Sequence, residues 1–60
     1  MNELYLWKGT QIYFKTNAKT IRDAFDEARK ACESVGIEIY ADHAELRDEE
    51  YNNIDEGEVW

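Results

Sequence analysis

One histidine, one cysteine and 14 carboxylates are the side chains of this 60-residue chain that could take part in chemistry. His43 follows Asp42 and lies close to Glu45, and a lone histidine beside acids is more often a surface residue than a general base or a metal ligand. Cys32 has no second cysteine with which to form a disulfide, and the cysteine and histidine spacing of metal sites is absent. The acids lack the spacing of a calcium loop. We therefore expect no enzyme activity, no catalytic residue and no bound metal or cofactor.

The carboxylates are concentrated at one end of the chain. Residues 1–41 hold six acids and six bases, whereas residues 42–60 hold eight acids and the single base Arg47, so this C-terminal third carries the whole formal charge of −7. Acidic runs that are interrupted by apolar side chains can bind a basic protein surface. A phosphate backbone or an anionic membrane would repel the same charge, so we expect no direct binding of nucleic acid or membrane. The interrupting apolar residues are Tyr51, Ile54, Val59 and Trp60.

The length of the chain allows one small domain. Such a domain buries only about 60% of the surface that its unfolded chain exposes, so good packing or association must support it. No run of 18 apolar residues is present, and the first seven residues lack the features of a signal peptide. We expect a soluble protein of a reducing compartment, the cytoplasm.

The spacing of apolar residues predicts a β-hairpin followed by a helix. Residues 3–7 and residues 11–16 each alternate as strands do, and Gly9 between them is expected to supply the positive φ of a tight turn. Thr20 is placed to cap the helix, and Gly36 is placed to end it in the left-handed conformation. The helix carries one continuous apolar stripe, formed by Ile21, Ala24, Phe25, Ala28, Ala31, Cys32 and Val35.

A third strand is predicted over residues 37–41, where apolar side chains alternate with Glu38 and Tyr40. The order ββαβ indicates an α+β fold, with a three-stranded, mainly antiparallel sheet and one helix packed on one face. Residues 1–41 form this core, and residues 42–60 form an acidic C-terminal segment.

The acidic segment has a weaker pattern. A short helix from residue 42 to residue 50 or 51 fits it, and so does an extension of the strand over residues 43–47. Residues 52–60 have no clear period.

The pleat of the predicted sheet leaves one face without a cover. Because alternate residues of a strand point to opposite sides, four aromatic side chains face away from the helix: Tyr5, Trp7, Tyr13 and Tyr40. Three alternatives could cover this face: the acidic segment folding back, a second copy of the chain, or another protein. In the first case Tyr51, Ile54, Val59 or Trp60 would lie over the aromatic side chains.

Residues 11–40, QIYFKTNAKTIRDAFDEARKACESVGIEIY, run from a strand through a short polar step to a Thr-capped helix with spaced alanines, a glycine and a strand. This pattern resembles very small phage-encoded proteins, namely the coliphage inhibitor of bacterial RNA polymerase and compact anti-CRISPR proteins. Antitoxin N-terminal domains share it. The resemblance implies a protein that blocks a large nucleic-acid enzyme by binding it. Because the resemblance lies in core-forming positions, it assigns no functional residue.

These observations lead to the hypothesis of a phage or mobile-element inhibitor acting in the host cytoplasm. Its carboxylates would imitate phosphates and occupy the basic, nucleic-acid-binding surface of a CRISPR effector or of RNA polymerase. Two alternatives stay open: a homodimeric, antitoxin-like regulatory module, and an acidic end that serves solubility alone. The predicted partner-binding residues are the acids Asp48, Glu49, Glu50, Asp55, Glu56 and Glu58, the anchors Tyr51 and Trp60, and the aromatic face Tyr5, Trp7, Tyr13 and Tyr40.

Overall fold

The computed structural model describes residues 1–59, which form four strands and one helix. In chain order these are β1 (Asn2–Trp7), β2 (Phe14–Thr16), α1 (Ile21–Glu33), β3 (His43–Arg47) and β4 (Asn53–Glu58). The strands form one antiparallel sheet in the order β2-β1-β3-β4, and α1 packs against one face of it. The predicted α+β class with one helix on an antiparallel sheet is confirmed, whereas the predicted number of three strands is wrong.

The predicted hairpin is present, but its turn differs from the one expected. β1 and β2 pair antiparallel, and residues 8–13 connect them. The residue with a positive φ is Lys8, at 55°, and not Gly9. A Cβ at position 9 would lie 2.0 Å from the carbonyl oxygen of Tyr40. Glycine is therefore required at this position because two backbone segments meet there.

The helix begins where the sequence indicates, and Gly36 has the predicted left-handed conformation, although α1 itself ends at Glu33. The Thr20 hydroxyl accepts a hydrogen bond from the backbone N–H of Asp23 (3.2 Å), which satisfies one free donor of the first turn. Gly36 has a φ of 79°, and the following N–H, that of Ile37, donates to the carbonyl of Cys32 (2.9 Å), as in a Schellman motif. With 13 residues α1 is short, and no helix in the described part of the chain has the length and apolar character needed to cross a membrane.

The strand after the helix lies further along the chain than predicted. In residues 37–41 the side chains at 39 and 41 are buried, as the alternation indicates, but the segment forms no strand. Within this segment, the backbone N–H and carbonyl of Tyr40 form hydrogen bonds with Thr10, which lies in the connection between β1 and β2. The place beside β1 is taken by His43–Arg47, which pairs with it along five residues. A short helix from residue 42 and a strand over residues 43–47 were the two alternatives for this part of the chain. The strand is present and the helix is not.

The acidic third supplies two strands and part of the core. β3 lies between β1 and β4, and its Ala44 and Leu46 are completely buried in a cluster with Phe25 of α1. Because β3 is an interior strand, the prediction that residues 1–41 form the core alone is wrong. Val35, placed by prediction on the buried stripe, is 71% exposed because α1 ends before it.

Candidate interaction surface

The sheet has two faces of opposite character, which follow from the pairing of its strands. Leu4, Ala44 and Leu46 point toward α1, so the side chains that alternate with them point away from it. We call this second side the outer face. Its residues are Glu3, Tyr5 and Trp7 on β1, Lys15 on β2, His43, Glu45 and Arg47 on β3, and Glu56 and Glu58 on β4.

Four rings follow one another on the outer face and form what we call the aromatic row: Tyr51, Tyr5, Trp7 and His43. Tyr51 stacks on Tyr5 with ring centroids 6.1 Å apart and planes inclined by 22°. Tyr5 lies 6.1 Å from Trp7, and Trp7 meets His43 edge-on at 6.0 Å, separations typical of attractive contacts between aromatic rings. Trp7 nevertheless remains 43% exposed and Tyr51 66% exposed. The aromatic row is thus an ordered surface that stays open to a partner.

The turn between β3 and β4 holds Tyr51 at the end of the row. Tyr51 has a φ of 70°, which costs a non-glycine residue about 1–2 kcal/mol. The Asp48 carboxylate stabilises this turn by accepting hydrogen bonds from the N–H groups of Glu50 and Asn52 (both 2.9 Å). The bond from Asn52 is the main reason that the pKa of Asp48 lies below its ordinary value of 3.8. The Arg47 guanidinium group donates to the Tyr51 carbonyl (3.0 Å), and its Cζ lies 5.7 Å from the centroid of the Tyr51 ring.

A carboxylate connects the row to a further tyrosine. Glu3 accepts hydrogen bonds from the hydroxyls of Tyr5 (2.6 Å) and Tyr13 (3.2 Å). The bond from Tyr5 is the largest cause that holds the pKa of Glu3 below 4.5, and the same bond raises the pKa of Tyr5. The ammonium group of Lys15 lies 5.7 Å from the centroid of the Tyr13 ring. Tyr5, Trp7 and Tyr13 therefore share the outer face, as the alternation predicted.

One of the predicted partner-binding residues that the structure describes, Tyr40, is not part of this arrangement. Tyr40 is exposed on the connection between α1 and β3, where its backbone bonds to Thr10 and its ring has no contact with the rings of the aromatic row. Its predicted orientation required a strand over residues 37–41, and that strand forms elsewhere. Trp60 lies outside the described residues.

Three of the six predicted acids bind backbone N–H groups or the N-terminal ammonium group. Asp48 holds the turn, and the Asp55 carboxylate accepts the N–H of Ile21 at the start of α1 (2.9 Å). Glu49 pairs with the N-terminal ammonium of Met1, and this bond is the main cause that lowers its pKa from 4.5. Asp48 and Asp55 stabilise the turn and the helix terminus, so they are not free charges for a partner.

The other three acids are exposed. The carboxylates of Glu50 and Glu58 have no ion pair and no hydrogen bond in the described part of the chain. Glu56 accepts a hydrogen bond from the Asn53 amide at Oε1 (3.1 Å), and its Oε2 lies 3.7 Å from Nε2 of His43. Glu56 therefore places negative charge directly beside the aromatic row, and Glu58 is the register partner of His43 on β4.

Among the described residues predicted to fold back over the aromatic side chains, Tyr51 alone does so. Tyr51 lies against Tyr5, which agrees with the predicted folding back of this segment. Ile54, however, is 38% exposed, and Val59 packs against the core. Most of the segment forms β3 and β4 themselves, so it extends the sheet sideways and leaves Trp7 and Tyr13 open.

The predicted partner-binding residues do not include the three outer-face residues of β3, His43, Glu45 and Arg47, nor Glu3 and Lys15. Arg47 donates to Oε2 of Glu45 from Nε (3.0 Å) and from Nη2 (2.7 Å), so these two side chains form a two-point ion pair on β3. The signal that could have found the residues of β3 is the alternation of His43–Arg47 with Ala44 and Leu46 as its apolar side.

Within residues 1–59, one group of side chains has the composition and closeness of a metal site. His43, Glu45 and Glu56 each offer a ligand atom, and these atoms all lie within 4.8 Å of one another. The prediction of no metal considered only the spacing along the chain, in which residues 45 and 56 are far apart.

Comparisons of the chain with protein-family models, with curated proteins and with solved structures gave no match. The resemblance of residues 11–40 to phage-encoded inhibitors therefore stays a prediction, and the geometry of the outer face is the basis for a functional proposal.

Proposed function

We propose that this protein binds a basic, nucleic-acid-binding surface of a larger protein through its outer face and thereby inhibits it. The observation that carries the proposal is the open aromatic row, which lies directly beside the acidic strand β4. Aromatic anchors at the centre and polar residues at the rim are common features of protein interfaces. The hypothesis from the sequence named an acidic segment and an aromatic face as separate parts, and the proposed site joins acids of β4 with that face of the sheet.

Trp7 and Tyr51 are the anchors in this proposal. Neighbouring side chains already hold both rings in place, Tyr5 between them and Arg47 over Tyr51, so little rotational freedom would be lost on binding. Exposed aromatic side chains that become buried at the centre of an interface are frequent hot spots, and their truncation costs about 2 kcal/mol or more. These two rings would therefore supply most of the binding free energy.

The carboxylates of β4 would supply attraction and orientation. Glu56 and Glu58 alternate along the strand, so they point to the same side about 6.7 Å apart. Arginine and lysine side chains that normally hold phosphates could form charge-assisted hydrogen bonds with them. The net charge of −7 would also accelerate the encounter with a basic partner.

The class of partner follows from this charge and from the resemblance to phage inhibitors. A CRISPR effector is the first candidate and bacterial RNA polymerase is the alternative, because both expose basic channels for nucleic acid. The outer face would not bind the nucleic acid itself, since its carboxylates repel phosphate.

Paired charge reversals test the proposal. We expect native protein to inhibit at least one enzyme in a panel of CRISPR nucleases and bacterial RNA polymerase, with binding that weakens as salt rises. The Glu56→Lys/Glu58→Lys protein should lose this inhibition. The Glu33→Lys/Glu38→Lys protein should retain it, because it reverses two exposed acids that lie off the outer face. Circular dichroism would check that both variants are folded.

Two results would contradict the proposal. Full inhibition by the Glu56→Lys/Glu58→Lys protein would remove the outer face from the mechanism. Absence of inhibition and of binding across the whole panel would contradict the proposed class of partner.

A homodimeric module is the second candidate, and the free edge of β4 favours it. β4 has six residues and pairs on one side only, so its other side could accept a strand from a second copy. Light scattering at low and high salt distinguishes the two candidates. A monomer throughout supports the inhibitor, whereas a dimer at both salt concentrations supports the regulatory module.

A further inference from the structure

Three side chains that are separated in the sequence meet on the outer face. His43 and Glu45 come from β3 and Glu56 comes from β4, and we call them the His–Glu–Glu triad. We propose that the triad binds a divalent transition-metal ion of the Zn²⁺ class. This inference goes beyond the proposed inhibition and does not depend on the identity of any partner.

The distances in the triad are close to those of a coordination sphere. Zn²⁺ bound tetrahedrally at about 2.0–2.1 Å has neighbouring ligand atoms about 3.3 Å apart. His43 Nε2 and Glu56 Oε2 are 3.7 Å apart, and the ligand atom of Glu45 lies within 4.8 Å of both. A bound ion would draw these three ligand atoms closer together.

The strands and their neighbours already orient each ligand. The Asn53 amide donates to Oε1 of Glu56, which leaves Oε2 directed toward His43. Arg47 donates twice to Oε2 of Glu45, which leaves its Oε1 free. Trp7 packs edge-on against the imidazole ring. Such outer contacts fix the orientation of ligands in metal sites, so Asn53, Arg47 and Trp7 are positioning residues here.

The charge of the triad favours a cation. Glu45 and Glu56 are direct partners across β3 and β4, and like charges opposite each other destabilise a sheet. Arg47 neutralises one of these carboxylates in part, and Glu58, opposite His43, adds a further negative charge. A divalent ion between the two glutamates would convert their repulsion into attraction.

The ligand types select the class of metal. An imidazole nitrogen suits Zn²⁺, Ni²⁺ and Cu²⁺, whereas Ca²⁺ and Mg²⁺ prefer oxygen ligands alone. The side chains of the triad are half-buried or exposed, so solvent has access. Three protein ligands leave a fourth tetrahedral position, which water would occupy.

Titration of the protein with zinc chloride tests the triad. We expect saturable binding of one Zn²⁺ by calorimetry, with a shift of the ring C–H resonances of His43, which are unambiguous because the chain has one histidine. Glu56→Gln and His43→Gln should each weaken binding about tenfold or more. The matched control is Glu58→Gln, which removes the same charge from the same side of β4 and should change affinity less than about twofold.

Three results would overturn the inference. Equal weakening in Glu56→Gln and Glu58→Gln would show attraction to diffuse negative charge instead of coordination. Binding of Ca²⁺ as tight as that of Zn²⁺ would exclude the imidazole as a ligand, and so would His43 resonances that do not shift. Circular dichroism verifies folding of each variant, and the His43 resonances of the native protein provide a test that requires no substitution.

Discussion

The two faces of the sheet are built from the same strands and have opposite properties. On the inner face Leu4, Ala44 and Leu46 are buried at 2% exposure or less, and two alanines of α1 at 0% allow the helix to lie close to them. On the outer face the rings of Trp7 and Tyr51 remain open. Successive side chains of a strand point to opposite sides of the sheet. Alternate residues of one strand therefore contribute to stability on the inner face and to recognition on the outer face.

The acids of β4 show the same division at the level of single residues. Asp55 is paired with the inner residue Leu46 and accepts a hydrogen bond from the start of α1, whereas Glu56 next to it lies on the outer face beside His43. Two adjacent carboxylates therefore have different roles. The density of charge along the chain does not reveal which acid is free for a partner, since that depends on the side of the strand.

Removal of Leu46 is the strongest way to break the inner face. Leu46→Ala should lower the free energy of unfolding by about 2–5 kcal/mol, because Leu46 is fully buried and a cavity would remain. That is comparable with the whole stability expected of such a small domain. Ile54→Ala, in the same acidic third but 38% exposed, should cost about 1 kcal/mol or less. Urea unfolding followed by circular dichroism measures both. Equal stability of the two variants would contradict a core shared with the acidic third.

Removal of the Asp55 carboxylate tests the link between β4 and the helix. Asp55→Ala should lower the free energy of unfolding by about 0.5–2 kcal/mol, because the N–H of Ile21 loses its acceptor. Asp55→Asn is the matched control, since its amide oxygen can accept the same hydrogen bond, and it should retain most of the stability. Thermal melts of the three proteins decide the outcome. A loss in Asp55→Asn as large as in Asp55→Ala would indicate that negative charge, not the hydrogen bond, is what matters.

Truncation of Trp7 sharpens the contrast between recognition and stability. Trp7→Ala should lower the free energy of unfolding by about 1 kcal/mol, because Trp7 lies on an open surface, is 43% exposed and has ring contacts with Tyr5 and His43. It should nevertheless abolish inhibition. Tyr40→Ala removes an exposed ring that lies off the aromatic row and should leave inhibition intact. If the two variants inhibit equally well, the outer face is not the binding site.

The smallest expected effect concerns acid stability and Glu3. Hydrogen bonding in the folded state holds the pKa of Glu3 below its ordinary value of 4.5, so its contribution to stability is complete above that pH. The contribution is lost as the pH falls below 4.5 through the lowered pKa, and solvent screening keeps it small. Glu3→Gln should therefore reduce the decline of the urea midpoint on acidification. Glu50→Gln, whose carboxylate has no hydrogen bond in the described residues, is the control. An unchanged decline in Glu3→Gln would contradict the hydrogen bonds from Tyr5 and Tyr13.

The predictable parts of the fold are those with strong local signals. The apolar stripe, Thr20 and Gly36 all act within a few residues, so α1 begins after Thr20 and Gly36 adopts the left-handed conformation that they indicate. The first hairpin also has a local signal, the alternation of apolar and polar side chains. β3 was harder to find, because its inner residues include only one large apolar side chain, Leu46, between charged neighbours. The alternation in residues 37–41 is stronger, so the sequence predicts the third strand there.

The candidate site was predictable only in part. The alternation of β1 was sufficient to place Tyr5 and Trp7 on one face, and Tyr13, which directly precedes β2, reaches that face through its hydrogen bond to Glu3. Glu45 and Glu56 are neighbours only because β3 and β4 pair in a particular register, and no local pattern specifies that pairing.

The sequence by itself determined the helix, the first hairpin, the α+β class and the uneven distribution of charge, because spacing and composition act locally. Only the tertiary structure decided which strand lies beside β1, which acids stabilise the fold and which remain free. Those outcomes depend on contacts between residues that are far apart in the chain, such as Asp55 with Ile21 and His43 with Glu56. A side chain of the same type becomes a helix cap or an exposed charge according to the partner that folding brings to it.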